Sequence, residues 1–376
     1  MIARLITNTI RQQVSESNKI IILYGPRQVG KTTLVRELIN TLPYRSLQVN
    51  ADELVYQTVL STRDLTQMKL LVEGYELLFI DEAQRISDVG INLKILHDAL
   101  PDLKIIATGS SSFELANRTK EALTGRTWTY ELFPISMGEL RQQQNAFFLQ
   151  QRLDELLRFG SYPDTLQFPN TTDKVRYLRE LSSAYLYKDV LEMASIRHAD
   201  KLRKLLQLLA FQVGSEVSPS ELGTVLGMSK DTVNTYIDLL EKAFVVFRLS
   251  GFSRNLRKEV SKMDKIYFYD LGIRNVLIDN FQPLDLRTDV GALWENFLVI
   301  ERRKQNAYTG QFANSYFWRT YTGAELDYIE EANGQLAGFE FKFSRKSAKA
   351  PASWLANYPG ASFEVINQDN YLSFIS

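Results

Sequence analysis

The segment from Ile20 to Leu34, IIILYGPRQVGKTTL, restricts the fold more than any other part of the chain. Ile20, Ile21, Ile22, Leu23 and Tyr24 read as a buried parallel strand, and the apolar run breaks at Gly25. Thr32, Thr33, Leu34 and Val35 then open a helix. Between strand and helix, Gly25-Pro26-Arg27-Gln28-Val29-Gly30-Lys31-Thr32 fits G-x-x-x-x-G-K-[ST], a phosphate-binding loop in its strand–loop–helix setting. The two glycines let the backbone curl until its N–H groups point inward as an anion nest. The N-terminus of the helix adds its positive dipole end. Lys31 has the reach for β- and γ-phosphates, and the Thr32 hydroxyl can ligate Mg²⁺. Gly25 through Thr33 are therefore the expected contacts for ATP, with Mg²⁺ as its companion ion.

Composition narrows the rest. A chain of 376 residues has room for two to four domains. Lys+Arg and Asp+Glu both total 44, so bulk charge gives no support for nucleic-acid binding and any such case must be local. The chain has no cysteine, which excludes disulfides, thiol nucleophiles and cysteine-ligated metals. With only His97 and His198, a histidine-built metal site is not expected. The N-terminus is polar and amphipathic without a signal-peptide core, and no apolar run is long enough to cross a bilayer. A cytoplasmic protein with no membrane contact is the expectation.

Downstream, Leu77-Leu78-Phe79-Ile80-Asp81-Glu82 is an apolar strand ending in two acids, the Walker B pattern. A parallel sheet puts such an end on the ligand side. Asp81 is then expected to hold Mg²⁺, directly or through water, and Glu82 to polarise the attacking water. Leu103–Ala107 is a further strand, followed by Thr108-Gly109-Ser110-Ser111-Ser112. Ser110 is the candidate for sensing the γ-phosphate and Thr108 the alternative; a serine-rich turn capping a helix from Phe113 fits the same residues. Thr127–Phe133 is the fifth strand. Arg126 precedes it, placed to reach a neighbouring subunit's γ-phosphate as an arginine finger in a homo-oligomer, with Arg118 as competitor.

Taken together, GPRQVGKTT, LLFIDEAQ, IIATGSSS, LTGR and LFPISMGEL resemble the bacterial and archaeal AAA-type ATPases that carry a C-terminal domain of unknown function. The resemblance extends over nearly the whole chain, and Gly160-Ser161-Tyr162-Pro163 corresponds to the turn entering its second half. It implies an additional-strand P-loop fold with ATP and Mg²⁺ as ligands. It says nothing about the purpose of the motor.

From Gln144 to Leu209 the apolar spacing is helical, with Leu153, Leu156, Leu157 and Phe159 on one stripe and Tyr177, Leu178, Leu181, Tyr185 and Leu186 on another. Pro219–Leu240 has helix-turn-helix spacing: a short helix carrying Leu222, Val225 and Leu226, a turn at Gly227, a cap at Ser229, then Val233, Tyr236, Ile237 and Leu240 inward. Val245–Leu249 reads as a wing strand pairing with Ile266–Tyr269. The outward face shows Lys230, Asp231, Asn234 and Thr235, short of the arginines that read guanine. Arg248, Arg254, Arg257, Lys258, Lys262 and Lys265 make the following segment basic, only partly offset by Glu259 and Asp264, and able to grip phosphates. Winged helices also dock proteins, so DNA and protein partners both stay open.

The last third contains a helix, GALWENFLVIERRK, and strands around Tyr316–Thr320, Ala324–Ile329 and Leu336–Phe343. Alternation puts Phe339, Phe341 and Phe343 on one face and Glu340 and Lys342 on the other. Asp327, Glu340 and Lys342 would converge if these strands pair, two carboxylates for Mg²⁺ and an ammonium to activate water. With Glu295 on the helix, this resembles the PD-(D/E)XK nuclease-like core, although a solvated charged face yields Glu-x-Lys as readily. Asn370–Ser376 reads as a closing strand.

The resulting expectation is an α/β chain. An AAA-type, additional-strand P-loop sheet spans 1–143, a helical lid 144–209, a winged-helix-like domain 210–283 and an α+β restriction-endonuclease-like domain 284–376. Mg²⁺-dependent ATP hydrolysis coupled to a C-terminal DNA- or protein-binding module is the leading function. An ATP-gated, metal-dependent nuclease and a nucleotide-stabilised, non-enzymatic scaffold are the alternatives.

Overall fold

Two sheets, of five and seven strands, divide the chain. They belong to two units, one of residues 1–134 with 242–244, the other of 135–241 with 245–376. The structure is a computed structural model and describes residues 2–110, 123–183, 199–254, 263–344 and 347–376. Ser111, Ser112, Phe113, Arg118, Tyr185, Leu186, His198, Arg257, Lys258, Glu259 and Lys262 lie outside the described residues.

In the first unit, β1 (Ile20–Tyr24), β2 (Ser46–Asn50), β3 (Leu77–Asp81), β4 (Lys104–Gly109) and β5 (Thr127–Glu131) form a sheet in the order β2-β3-β4-β1-β5. Every pairing is parallel. β1 and β3 are buried along their whole length, as their unbroken apolar sequences require of strands covered on both faces. β4 lies between β1 and β3, the inserted strand of the additional-strand arrangement. All five carboxyl ends share one edge, so Tyr24, Asp81 and Gly109 end near each other. The polar stretch 52–72 forms two helices, Leu54–Ser61 and Leu65–Leu71. They are separated where Arg63 takes a left-handed backbone (φ 55°) and Asp64 caps the second through the amides of Thr66 and Gln67.

In the second unit, helices Ala146–Phe159 and Thr171–Leu181 carry the apolar stripes. Helix Ala199–Phe211, β6 (Glu216–Val217), helices Pro219–Leu226 and Lys230–Lys242, β7 (Val246–Gly251) and β8 (Asp264–Phe268) follow. β6 and β7 both pair antiparallel with β8. Val233, Tyr236, Ile237 and Leu240 are buried as the spacing predicts. On the shorter helix Leu222 and Leu226 are buried and span its inward face, and Val225 is 70% exposed.

Helix Val290–Thr309 leads into β9 (Asn314–Arg319), β10 (Glu325–Ala332) and β11 (Gln335–Phe341), then helix Ala352–Asn357 and β12 (Ser362–Ile366). β9 pairs in parallel with β7, through Ser250 opposite Tyr316 and Gly251 opposite Phe317. One sheet in the order β12-β11-β10-β9-β7-β8-β6 therefore runs across position 283/284, where the sequence suggests a domain boundary. Under it lies a core of Phe252, Trp318, Leu326, Ile329, Leu336, Trp354 and Tyr358. The terminal run is a helix, Tyr371–Ile375, and not the strand expected from its composition. Tyr371, Phe374 and Ile375 are its buried residues, a helical spacing.

Candidate functional site

The phosphate loop takes its shape from three left-handed or near-left-handed residues: Gly25 (φ 150°), Gln28 (φ 57°) and Gly30 (φ 94°). Gly30 caps helix Lys31–Ile39 without a side-chain hydrogen bond, which leaves the first amides of that helix for an anion. Lys31 is buried and its Nζ donates to the carbonyls of Gly25 (2.8 Å) and Pro26 (2.7 Å). Arg4, upstream of the motif and not marked by it, pins the loop. Its Nη1 donates to the Val29 carbonyl (2.6 Å) and its Nη2 to that of Phe133 (2.5 Å).

Asp81 ends β3 where the sequence places it. Thr32 Oγ1 donates to its Oδ2 at 2.8 Å, and Thr108 Oγ1 to its Oδ1 at 2.5 Å. Thr32 Oγ1 and Asp81 Oδ2 are hard oxygens about as far apart as neighbouring ligands of an octahedral ion with bonds of about 2.1 Å, so this pair fits Mg²⁺. Glu82 has a left-handed backbone (φ 54°) that turns its side chain out of the strand's alternation. Gln84 Nε2 donates to Glu82 Oε2 and, at 3.1 Å, to Ser110 Oγ. The structure thus separates the two sensor candidates. Thr108 aligns Asp81, while Ser110 is joined to Glu82 through Gln84. Gln84 closes the LLFIDEAQ segment, which by itself assigns it no role.

Arg126 sits before β5, at the edge opposite the phosphate loop, where its carbonyl accepts from the Ile20 amide. Its guanidinium grips Asp98 through Nε (2.8 Å) and Nη2 (3.1 Å), which holds that carboxyl below its usual range. It contributes nothing to the loop of its own chain.

A second cluster lies on the seven-stranded sheet. Lys265, only 3% exposed, extends Nζ to Glu295 Oε1 (3.1 Å) and Glu325 Oε1 (2.7 Å). Tyr267 OH donates to Glu295 Oε1 at 2.5 Å. Asp327 Oδ2 accepts from the Phe341 amide (2.7 Å), and Lys342 Nζ pairs with Glu340 Oε1 (2.5 Å). Burial, with the charges of Glu295 and Glu340, pushes the Asp327 carboxyl up to about 8. The residues expected to meet are neighbours; Glu325, on the same face of its strand as Asp327, belongs with them as alternation suggests, while Lys265 and Tyr267 are assigned there by no sequence pattern. Among the described residues no group of three or more Asp, Glu or His side chains is placed to hold a metal ion, so a Mg²⁺ here would rest on the two carboxylates Asp327 and Glu340.

Three residues of the basic segment, Arg248, Arg254 and Lys265, have acidic partners within the chain. Lys265 serves this cluster. Arg248 pairs with Glu241 and, at 2.7 Å, with Asp238, and Arg254 pairs with Glu331 at 2.5 Å. Internal carboxylates claim the three because each lies in or beside a strand facing an acid.

Comparison with known proteins agrees with the first unit. Residues 17–141 match the family model described as an AAA domain. Over this segment the chain is similar to AAA domains. Residues 150–284 and 290–368 match two domains of unknown function, DUF8612 and DUF4143. An uncharacterized protein of Mycobacterium tuberculosis is 29% identical over 326 residues, 86% of this chain and 70% of its own. One of Methanocaldococcus jannaschii is 24% identical over 308 residues, covering 77% and 67%. The Walker-type ATPase of Pyrococcus abyssi shares the fold with a TM-score of 0.53 at 15% identity, covering 74% of this chain and 96% of that one. Among the described residues no helix is long and apolar enough to cross a membrane.

Proposed function

We propose that the AAA domain hydrolyses ATP with Mg²⁺, and that the chain uses nucleotide state as a switch or motor coupled to its second unit. One observation carries the reading: Thr32, Asp81 and Thr108 form one connected set of side chains, and Glu82, Gln84 and Ser110 another, at adjoining strand ends. Lys31 exchanges the carbonyls of its own loop for phosphate oxygens. Glu82 takes the proton of the attacking water, and Ser110 senses the terminal phosphate. Mg²⁺, held by Thr32 and Asp81, supplies charge neutralisation at the phosphates. Arg126 serves a neighbouring copy in a homo-oligomer once released from Asp98. ATP as substrate accords with a cytoplasmic setting.

The test is phosphate release by the full chain with ATP and Mg²⁺. Turnover is expected, lowered about 10²-fold or more in Asp81→Asn; absent turnover, or equal rates in both proteins, contradicts the reading. Gln84→Leu keeps the shape but loses the link from Glu82 to Ser110. It is expected to lower kcat by about 10²-fold with ATP affinity unchanged. An unchanged kcat removes Gln84 from the mechanism.

For the second unit we infer a docking module. The order helix–strand–helix–helix–strand–strand supports a winged helix, and helix–three strands–helix–strand supports a nuclease-like fold. The ion pairs of Arg248, Arg254 and Lys265 favour a protein partner over DNA, whose phosphates need free cations.

A further inference from the structure

We propose that Lys265 is the resident cation of the acidic pocket on the seven-stranded sheet, taking the place a divalent metal would occupy, so that this pocket binds no Mg²⁺ or Mn²⁺ and cleaves no phosphodiester. The inference is independent of ATP hydrolysis.

The geometry leaves little for a metal. Nuclease chemistry of this kind needs carboxylate oxygens converging on one open point, with water completing the shell. Here the point is filled by an ammonium. Lys265 Nζ lies within 3.1 Å of Glu295 and 2.7 Å of Glu325. One oxygen of each carboxylate is already engaged: Glu295 Oε1 accepts from Tyr267 as well as from Lys265, Asp327 Oδ2 accepts from the Phe341 amide, and Glu340 Oε1 pairs with Lys342. A divalent ion entering here would meet a buried positive charge only a few ångströms away, and like charges that close repel strongly in a poorly solvated site.

Lys265 has no easy way out. It is 3% exposed, and its ammonium lies 5.3 Å from the centre of the Phe317 ring, which favours a cation there. Its backbone is fixed as well, since Lys265 pairs with Leu249 on one side and Glu216 on the other. Lys265 and Tyr267 share one face of β8, so both donors reach the carboxylates together. With its strand paired on both sides, the ammonium can leave only by a change of side-chain rotamer within a buried site.

The test measures Mn²⁺ binding by electron paramagnetic resonance on the full chain, without nucleotide, in a Thr32→Val background that removes the phosphate-loop ligand. The chain with Lys265 intact is expected to bind no Mn²⁺ that depends on Asp327. Lys265→Met, which keeps the length without the charge, is expected to gain one site at least about tenfold tighter. That gain should vanish in Lys265→Met/Asp327→Asn, and Lys265→Arg should gain nothing. Supercoiled plasmid should stay intact with the unsubstituted protein and either metal. Asp327-dependent Mn²⁺ binding or nicking with Lys265 in place overturns the proposal, whether or not the methionine variant folds. A folded Lys265→Met that gains no site overturns it too.

Discussion

Glu82→Gln is expected to slow ATP turnover by about 10²–10⁴-fold while ATP affinity changes by no more than a few fold. The substitution keeps size and the hydrogen bond to Gln84 but removes the base that takes the proton from water. The expected loss is about 2.7–5.4 kcal/mol of transition-state stabilisation. Lys31→Met provides the contrast. Its ammonium is needed for the ground-state phosphates as well as for the charge that develops on them, so binding and turnover should fall together. Single-turnover kinetics with a fluorescent-nucleotide titration separates the two. Equal loss of affinity in both variants would falsify the division of roles, and normal turnover in Glu82→Gln would remove Glu82 as base. Its position supports the role: a left-handed backbone at φ 54° moves the carboxylate off the sheet face and into the reach of Gln84.

The largest effect on stability is expected from Gly25→Ala. An added Cβ would lie 2.0 Å from the carbonyl oxygen of Leu132, and φ is +150°, where other residues are strained. The obstacle is backbone and cannot rotate away, since the Leu132 amide donates to the Tyr24 carbonyl at 2.7 Å as β5 leaves the sheet. Overpacking of about 1–3 kcal/mol and backbone strain of similar size add to about 2–6 kcal/mol. That is a large share of the roughly 5–15 kcal/mol that typically holds a domain together. Denaturant unfolding followed in the first unit should show the loss together with weakened nucleotide binding. Gly291→Ala is the control. Nothing lies within 4 Å of its added carbon, and it falls in helix Val290–Thr309, where alanine should be neutral or stabilising by about 0.5–1 kcal/mol. Equal stabilities for the two variants would refute the steric account.

Much of the first unit is legible in the order of its residues. The apolar run of β1, the glycine-lysine-threonine loop and the strand ending in Asp81 and Glu82 are local patterns, and local patterns suffice to bring Thr32 to Asp81 once the strands are parallel. The glycines are expected to curl the loop, and they do. That Gly25 must also yield to Leu132, and that Arg4 holds Val29 and Phe133, cannot be read from the motif, because both partners come from elsewhere in the chain.

In the second unit the alternation of β10 and β11 correctly groups Asp327 with Glu340. The charge of Lys265 alone does not say where it points, because a basic residue looks the same in sequence whether its side chain faces solvent or acids. The pairing of β7 with β9 removes that ambiguity. It joins two segments into one sheet and turns Lys265 toward Glu295 and Glu325.

The amino-acid sequence by itself determined the phosphate loop, the acidic strand end and the periodicities of most elements, since each depends on a few residues close together along the chain. Tertiary structure alone decided which side chains answer one another: Gln84 between Glu82 and Ser110, Arg126 on Asp98, and Lys265 among the carboxylates. Hydrogen bonds and ion pairs of that kind depend on distances across the fold, which strand order and register set and composition does not encode.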